Sequence, residues 1–518
     1  MMGRQQRVQK KLFYTKFSLD QRIPKNHILR KVAKYIDFDF VYKEVKDKYG
    51  INGNISVPPP VILKMMLLLI FYNIRSEREL IATIPVRLDW LWFLDYDLDD
   101  EIPNHSVLSK ARARWGVDAF KTFFERIVWQ CVQAGLIDGS KLFVDSSMIQ
   151  ADASNNSVVN KESRNRYLDQ SYQILEARLE EEQRSSDSDD EPKSGSANRK
   201  YISTTDPDAS VTRRGKGKSK LQYQVHRGVD EKCEIITATE VTPGEVHEAH
   251  RMQSLIDSHQ KNTGQKVETA VADSKYGTIE NYLACQDQGI NAHINSLEQT
   301  QKNTGTKKGI FPKEAFSYDA IDDIFICPAG QILKRRKYFK KRKHYEYIAS
   351  ASTCNSCELK GKCTKAKFGR TLKRHVRQND LDFMVDQANS QEAKRDIRTR
   401  QHLMERSYAR GTRFGYKRAR WRRLWRVQIQ EYLTAGIQNI MVLLRLVKEP
   451  APARGLVLDK PGYPKAYLRL QELFFYFKES ITDSINHFFE FRCSKSQNLA
   501  ENFWPDLEFR FGQQPVKI

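Results

Sequence analysis

The sequence predicts an α/β protein with a mixed sheet at its core, preceded by an all-helical N-terminal domain. Proline-led and capped helix patterns fill residues 1–140. Beyond them the patterns run strand, hairpin strands, helix, strand, helix, strand, an order that suits a mixed sheet with helices on its faces. Asp145 and Asp273 each follow an apolar strand-like run, which places both acids at the ends of predicted strands.

Length and charge narrow the class of protein. The chain has 518 residues, which favours two or three domains, and its net charge of +22 with pI ≈ 9.5 favours a polyanionic partner. A ribosomal or membrane-surface protein would share that charge. The most apolar run, Val61 to Tyr72, is too short to cross a bilayer, and Met1 to Leu12 has no signal-peptide core. We expect a protein of the reducing cytoplasm, without a disulfide scaffold.

The N-terminal region carries clear helix signals. Pro58–Pro60 precede an apolar run, and Ser76 is placed to cap the next helix. Residues 103–115 then predict a turn that leads into a basic helix. This pattern suits a helix-turn-helix-like DNA reader, and an ordinary bundle with a solvated basic face is the alternative. The DNA contacts predicted on this helix are Lys110, Arg112 and Arg114.

The central region carries the strand patterns. They cover 141–149, a hairpin over 221–228 and 233–241, then 267–273 and 291–295, with helices at 246–259 and 279–287. Residues 155–215 are predicted to be a flexible insertion that contains an amphipathic helix (168–179) and an acidic serine-rich run (180–191).

Three acidic residues from distant segments suggest a metal site. Asp145 and Asp273 fit strand ends, and Glu405 lies on a predicted helix. Mg²⁺ prefers oxygen ligands, and two such ions can promote phosphodiester exchange. An aspartate after a strand is often only a turn former, and Glu405 lies among arginines that could pair with it. Glu392 and Glu431 are rivals for the helix position.

Four cysteines form a second candidate metal site. Cys354 and Cys357 have the two-residue spacing of a zinc knuckle, Cys363 is near, and Cys327 stands alone. Four thiolates can hold structural Zn²⁺, and four reduced structural cysteines are an equal alternative.

Basic runs supply candidate phosphate contacts, although a solvated charged face is their usual role. A dense run from Lys334 to His344 includes Arg335, Arg336 and Lys340. Farther on, Arg418, Arg422 and Arg426 are four residues apart, which predicts one shared helix face.

The chain resembles bacterial insertion-sequence transposases of the DDE class, within the IS4/IS5-like superfamily. The resemblance covers roughly residues 9–445, and its motifs are Gln9–Tyr14, Ser76–Leu80, Val144–Ala153, Ala272–Gly277 and the block from Met404 to Asn439. It implies a ribonuclease-H-like core with insertions and Asp145, Asp273 and Glu405 as the metal-binding triad. Two departures weaken the case for Glu405, since Thr412 and Gln401 occupy positions where the family often carries lysine and arginine.

The resemblance also implies how the protein works. It implies two Mg²⁺ ions as cofactors, which Mn²⁺ can replace. It implies double-stranded DNA as the partner, both at the transposon ends and at the target. It also implies a homodimer in the synaptic complex. A nuclease of the same fold and a non-catalytic DNA-binding derivative are the alternatives. The expected domains are 1–140 for DNA ends, 141–296 with 386–447 for the catalytic core, 297–385 for the cysteine-containing insertion, and 448–518 for a linker and helical tail.

Overall fold

A computed structural model describes residues 18–50, 56–160, 197–213, 217–296 and 309–447. The predicted helix at 168–179, the acidic run at 180–191, the tail at 448–518 and the motif at residues 9–14 lie outside these ranges. The described helices are α1 Leu19–Arg22, α2 Ile28–Tyr35, α3 Phe40–Val45, α4 Pro59–Phe71, α5 Glu77–Thr83, α6 Leu88–Phe93, α7 Ser106–Trp115, α8 Asp118–Gln133, α9 Ala197–Lys200, α10 Met252–Thr263, α11 Ile279–Gln288, α12 Ala351–Asn355, α13 Lys360–Cys363, α14 Gln378–Ala388, α15 Gln391–Thr412 and α16 Leu424–Leu446.

The described strands are β1 Lys141–Gln150, β2 Val158–Asn160, β3 Tyr201–Ser203, β4 Ser210–Thr212, β5 Lys220–Asp230, β6 Ile236–Pro243, β7 Thr269–Ala272, β8 Asn291–Ile294, β9 Ser317–Asp319, β10 Ile324–Ile326, β11 Ile332–Phe339, β12 His344–Ile348 and β13 Thr371–His375.

The central sheet has β1 in its middle. Strands β6, β5 and β1 run antiparallel, and β1, β7 and β8 run parallel, while β4 pairs with the start of β5. Apolar residues of α10, α11 and α14 pack on one face of this sheet, and α15 and α16 lie against the other. This is the predicted α/β fold, a mixed sheet with helices on both faces that follows the N-terminal helices.

The N-terminal helices share a core with the C-terminal half of the described chain. Helix starts fall where the sequence signals predict: α4 begins at Pro59, and Ser76 Oγ accepts from Glu79 N at 3.1 Å. Their apolar side chains join those of α16 in one large cluster. Gly436 lies at this contact, where a Cβ would lie 3.2 Å from Phe123 of α8 and the ring would have to shift by a few tenths of an ångström.

A second sheet lies between β8 and α14 in the sequence. Its five strands are antiparallel, in the order β13-β12-β11-β10-β9. Six buried apolar residues form its core: Phe316, Phe325, Leu333, Tyr347, Ala349 and Leu372.

The flexible insertion predicted at 155–215 is wrong for its described parts. Strands β2, β3 and β4 are formed there, and Asp206 is fully buried. Asp206 Oδ1 accepts from Arg423 N at 2.9 Å and Asp208 Oδ2 from Leu424 N at 2.8 Å, so this segment caps α16. The error arose because a tertiary contact, rather than local apolar content, orders these residues.

Candidate active site

Neighbouring parallel strands bring Asp145 and Asp273 together. Phe143 pairs with Val271, and the same register extended by two residues places Asp145 beside Asp273. Adjacent strands lie about 4.8 Å apart. Asp273 directly follows β7, as predicted, whereas Asp145 is the fifth of the ten residues of β1 and not its end. The error arose because the polar residues Ser146 and Ser147 resemble a strand terminus, yet they remain paired with β5.

Asp145 is held by groups from the strand and from α15. Arg400 Nη1 donates to its Oδ2 at 2.7 Å, and Ser146 N donates to its Oδ1 at 2.8 Å. Tyr408 OH donates to its backbone carbonyl at 2.9 Å. Burial raises the pKa of the Asp145 carboxyl above its usual value against the opposing effect of Arg400, and the nearby negative charges of Asp273 and Glu248 add to the rise.

Asp273 begins a short 3₁₀ turn. Its carboxylate accepts from Lys275 N at 2.9 Å, which fixes the side chain where β7 ends. Gly277 closes the turn, and a Cβ at this position would lie 2.4 Å from the carbonyl oxygen of Asn295. Only glycine therefore allows the turn to pass so close to the end of β8.

Glu405 lies on the predicted helix, α15, but its side chain is exposed. Gln401 Nε2 donates to its Oε1 at 3.3 Å. The residues of α15 that reach Asp145 are Arg400 and Tyr408. The predicted third acid therefore lies on the helix that contacts Asp145, but its carboxylate has no described contact with either aspartate.

The two rival glutamates have other roles. Glu431 is 1% exposed and forms a bidentate ion pair with the buried Arg227, at 2.7 and 3.1 Å. Glu392 is mostly exposed and lies 3.8 Å from Lys141 Nζ. Neither contacts the two aspartates.

Glu248 is an acid of the site that the sequence did not single out. It is 5% exposed, accepts hydrogen bonds from Ser146 Oγ and, at 3.0 Å, from Gln224 Nε2, and pairs with Lys275 Nζ at 2.6 Å. Burial and the charges of Glu248, Asp145 and Asp273 together raise the pKa of Tyr276 well above its usual value, so all three acids lie close enough to act on its hydroxyl. The predicted helix at 246–259 hid Glu248, since α10 begins only at Met252.

The two aspartates have the chemistry of a magnesium site. Mg²⁺ is commonly bound by one or two carboxylates, substrate phosphates and water. The converging carboxylates of Asp145 and Asp273 match that donor set. Across the described ranges, no group of three or more His, Cys, Asp or Glu side chains is arranged to hold an ion as it stands. Substrate oxygens, water or a third acid would therefore complete the coordination.

Arg112 is not a surface residue, which corrects its prediction as a DNA contact. It is 3% exposed, pairs with Glu77, and its guanidinium lies 4.0 Å from the centre of the Trp421 ring. Helical spacing alone could not show this, because α7 packs against a distant segment of the chain. Lys110 and Arg114 of the same helix are exposed.

The shared helix face predicted for Arg418, Arg422 and Arg426 is also wrong. Helix α16 begins at Leu424, and Arg423 has φ +82°, so the first two arginines precede the helix. Arg418 and Arg422 are exposed and meet at Asp152, at 3.0 and 3.4 Å. Arg426 is half-buried and lies over the Trp425 ring at 4.7 Å.

Strand β11 carries an exposed row of cations. Lys334, Arg335, Arg336 and Lys337 are exposed, as is Lys340 just beyond the strand, while Leu333 points into the core of the second sheet. One cavity at the same sheet is lined by four cysteines: Cys327, Cys354, Cys357 and Cys363. They are not disulfide-bonded.

The fold and the paired aspartates define an α/β protein with a candidate phosphoryl-transfer site. Comparison with protein families matches residues 17–114 to a Transposase domain (DUF772) and residues 326–444 to a Transposase DDE domain. These two domains support an insertion-sequence transposase of the DDE class, and a DNA transposase function, without confirming the IS4/IS5-like superfamily. No curated protein matches the chain. None of the helices described is both long and apolar enough to span a membrane.

Proposed function

We propose that this protein cleaves DNA at the ends of its transposon and joins the freed 3′ ends to target DNA, with Mg²⁺ as cofactor and Mn²⁺ as a substitute. The convergence of Asp145 and Asp273 on adjacent strands carries the proposal. Both lie in a chain of net charge +22 that contains two transposase domains. Carboxylates placed in this way suit metal-assisted phosphodiester chemistry.

Asp145 and Asp273 would hold the metal, which when bound supplies activation of the attacking oxygen and stabilisation of the leaving one. The chain's own groups orient these ligands. Ser146 N and Lys275 N each fix one aspartate oxygen, and Arg400 balances the charge of Asp145. We include Glu405 as the third metal-binding acid. Glu248 is the alternative candidate for this role, because it lies beside Asp145.

Exposed cations would bind the DNA backbone. Lys110, Arg114, Arg335, Arg336, Lys340, Arg418 and Arg422 are exposed, and Arg426 is half-buried. Such contacts neutralise phosphates and supply affinity rather than sequence information. Two copies of the chain, one at each transposon end, would form the synaptic complex.

The decisive experiment compares Asp145→Asn with the wild-type protein on duplexes that carry the terminal inverted repeats flanking this gene. We expect Mg²⁺-dependent cleavage to fall at least about 100-fold, because several kcal/mol of transition-state stabilisation are lost. Binding to the same duplex in a gel-shift assay should persist. Asp287→Asn is the matched control, since Asp287 is exposed and pairs with Arg377. Wild-type cleavage rates in Asp145→Asn would refute the proposed site.

The same assay separates the alternatives. A transposase joins the cleaved end to a second duplex, which appears as a longer labelled product, whereas a nuclease of this fold yields only cut ends. A non-catalytic DNA-binding derivative would shift the duplex without cutting it, and that result with the wild-type protein would overturn the enzymatic proposal.

A further inference from the structure

The second sheet gathers four thiols that are distant in the sequence. Cys327 follows β10, Cys354 lies on α12, Cys357 falls between two short helices, and Cys363 ends α13. All four line one cavity, together with the apolar side chains of Phe316 and Leu333. Cys327, Cys354 and Cys363 also pack against the same apolar core.

The turn at Cys327 is built around its sulfur. Gln331 N donates to Cys327 Sγ at 3.3 Å, and Cys327 N donates to Gln331 O at 2.9 Å. Gly330, with φ +74°, makes the reversal possible. A backbone N–H directed at sulfur stabilises its thiolate form, which is the form that binds metal.

Two further residues shape the cavity for negative charge. Gly369 has φ +96°, and a Cβ there would lie 3.0 Å from Cys354 Sγ, so the backbone closes tightly over that thiol. Arg370 lines the cavity and donates to the carbonyl oxygens of Cys363 and Phe311 at 3.1 and 3.0 Å. The positive charge of Arg370 favours the negatively charged thiolate form of the cysteines beside it.

The core of this sheet is small for five strands. It contains six buried apolar residues, and three of the four cysteines, Cys327, Cys354 and Cys363, pack against it. Modules with so little apolar burial are commonly stabilised by a disulfide or a structural metal. The four thiols are not disulfide-bonded, so they remain available as metal ligands.

We propose that Cys327, Cys354, Cys357 and Cys363 bind one structural Zn²⁺ in a tetrathiolate site. Four protein ligands fill the tetrahedral sphere, so the ion would stabilise the sheet and leave no position for substrate. As the structure stands, no group of three or more described ligand residues is arranged to hold an ion, and binding would draw the sulfurs together. This inference is independent of the proposed transposition chemistry.

The test is the zinc content of the full-length protein, purified without chelator under reducing conditions and measured by mass spectrometry of the metal. We expect about one Zn²⁺ per chain, falling at least about tenfold in Cys327→Ser and in Cys357→Ser. Cys233→Ser, a half-buried cysteine outside the cluster, is the matched control and should keep its zinc. Zinc-free wild-type protein, or unchanged zinc in both cluster variants, would overturn the proposal.

A second measurement avoids dependence on variants that fail to fold. Titration of the wild-type chain with an organomercurial should release zinc in step with modification of about four thiols. Replacement by Co²⁺ should give the visible absorption of a tetrahedral thiolate site. Release of zinc without thiol modification, or recovery of the four cysteines as disulfides from reduced protein, would contradict the tetrathiolate site.

Discussion

At the scale of single residues, the candidate site is defined by its charge balance. The charges of Asp273 and Glu248 act on the carboxyl of Asp145, while Arg400 pairs with Asp145 and Lys275 pairs with Glu248. Three carboxylates against two cations leave an excess of negative charge. This arrangement attracts a divalent cation and disfavours the approach of a bare phosphate, so metal binding should precede DNA cleavage.

The identity of the third acid can be tested with charge-neutral substitutions. We expect Glu405→Gln to lower cleavage at least about 100-fold and to leave the melting temperature nearly unchanged, because Glu405 is exposed. Glu248→Gln should lower the melting temperature, because the buried Glu248 carboxylate loses its ion pair with the partly exposed Lys275. Glu392→Gln, an exposed position on the same helix as Glu405, is the control.

The outcome distinguishes the two acids. Full cleavage by Glu405→Gln, together with loss of cleavage in a folded Glu248→Gln protein, would transfer the role of third acid to Glu248. The Mg²⁺ concentration needed for half-maximal cleavage provides a second criterion, since removal of a ligand raises it while a purely structural defect leaves it unchanged.

At the scale of elements, β11 and α7 show how similar basic patterns differ in role. The cations of β11 are exposed, while their neighbour Leu333 is buried in the small core of the second sheet. Arg112 of α7 points inward, between Glu77 and Trp421. Sequence spacing marks both as basic, and only packing separates a phosphate contact from a buried ion pair.

Salt dependence of DNA binding can separate these roles. Replacing the exposed Arg336 by glutamine should weaken binding to any duplex and reduce the slope of log affinity against log salt by about 0.9, the value for one phosphate contact. Arg112→Gln should leave that slope unchanged and destabilise the fold by about 3 kcal/mol, since it breaks a buried pair. An altered slope for Arg112→Gln in folded protein would contradict this assignment.

Elements with local signals were predictable from the sequence. Strands β5, β7 and β8 lie within a few residues of their predicted ranges, because alternation and turn residues define them. The start of α16 was not predictable from the sequence, since it depends on Asp206 and Asp208 from a distant segment. Glu248 was missed for the same reason: it meets Ser146 across a separation of 102 residues, which no local pattern reveals.

At the scale of the whole molecule, a buried ion pair ties the central sheet to both helices on one of its faces. Arg227 of β5 is fully buried, and it donates to Glu431 of α16 and to the Ser407 carbonyl of α15, the latter at 3.1 Å. The rings of Tyr408 and Tyr416 flank its guanidinium at 4.9 and 4.7 Å. Arg227 also pairs in register with Asp145.

Breaking the ion pair between Arg227 and Glu431 should lower the stability of the fold. Glu431→Gln leaves a buried guanidinium without its carboxylate, and we expect a loss of about 3–5 kcal/mol in the free energy of unfolding. Urea denaturation followed by circular dichroism measures this loss. Glu234→Gln, which removes a partly exposed partner of Arg406 and Arg410, should cost less than about 1 kcal/mol. Equal losses in the two variants would show that burial does not govern these pairs.

Strand β1 continues well beyond Asp145, to Gln150. There Gln150 N donates to Lys417 O at 3.1 Å and Ala419 N donates to Gln150 O at 2.8 Å, so the segment that presents Arg418 is bonded to the strand. Five residues of extended chain span about 17 Å, which equals about five nucleotide steps along a duplex. Under the proposed function, the length of β1 beyond Asp145 would set the distance along the DNA between the cleavage site and the phosphates that Arg418 contacts.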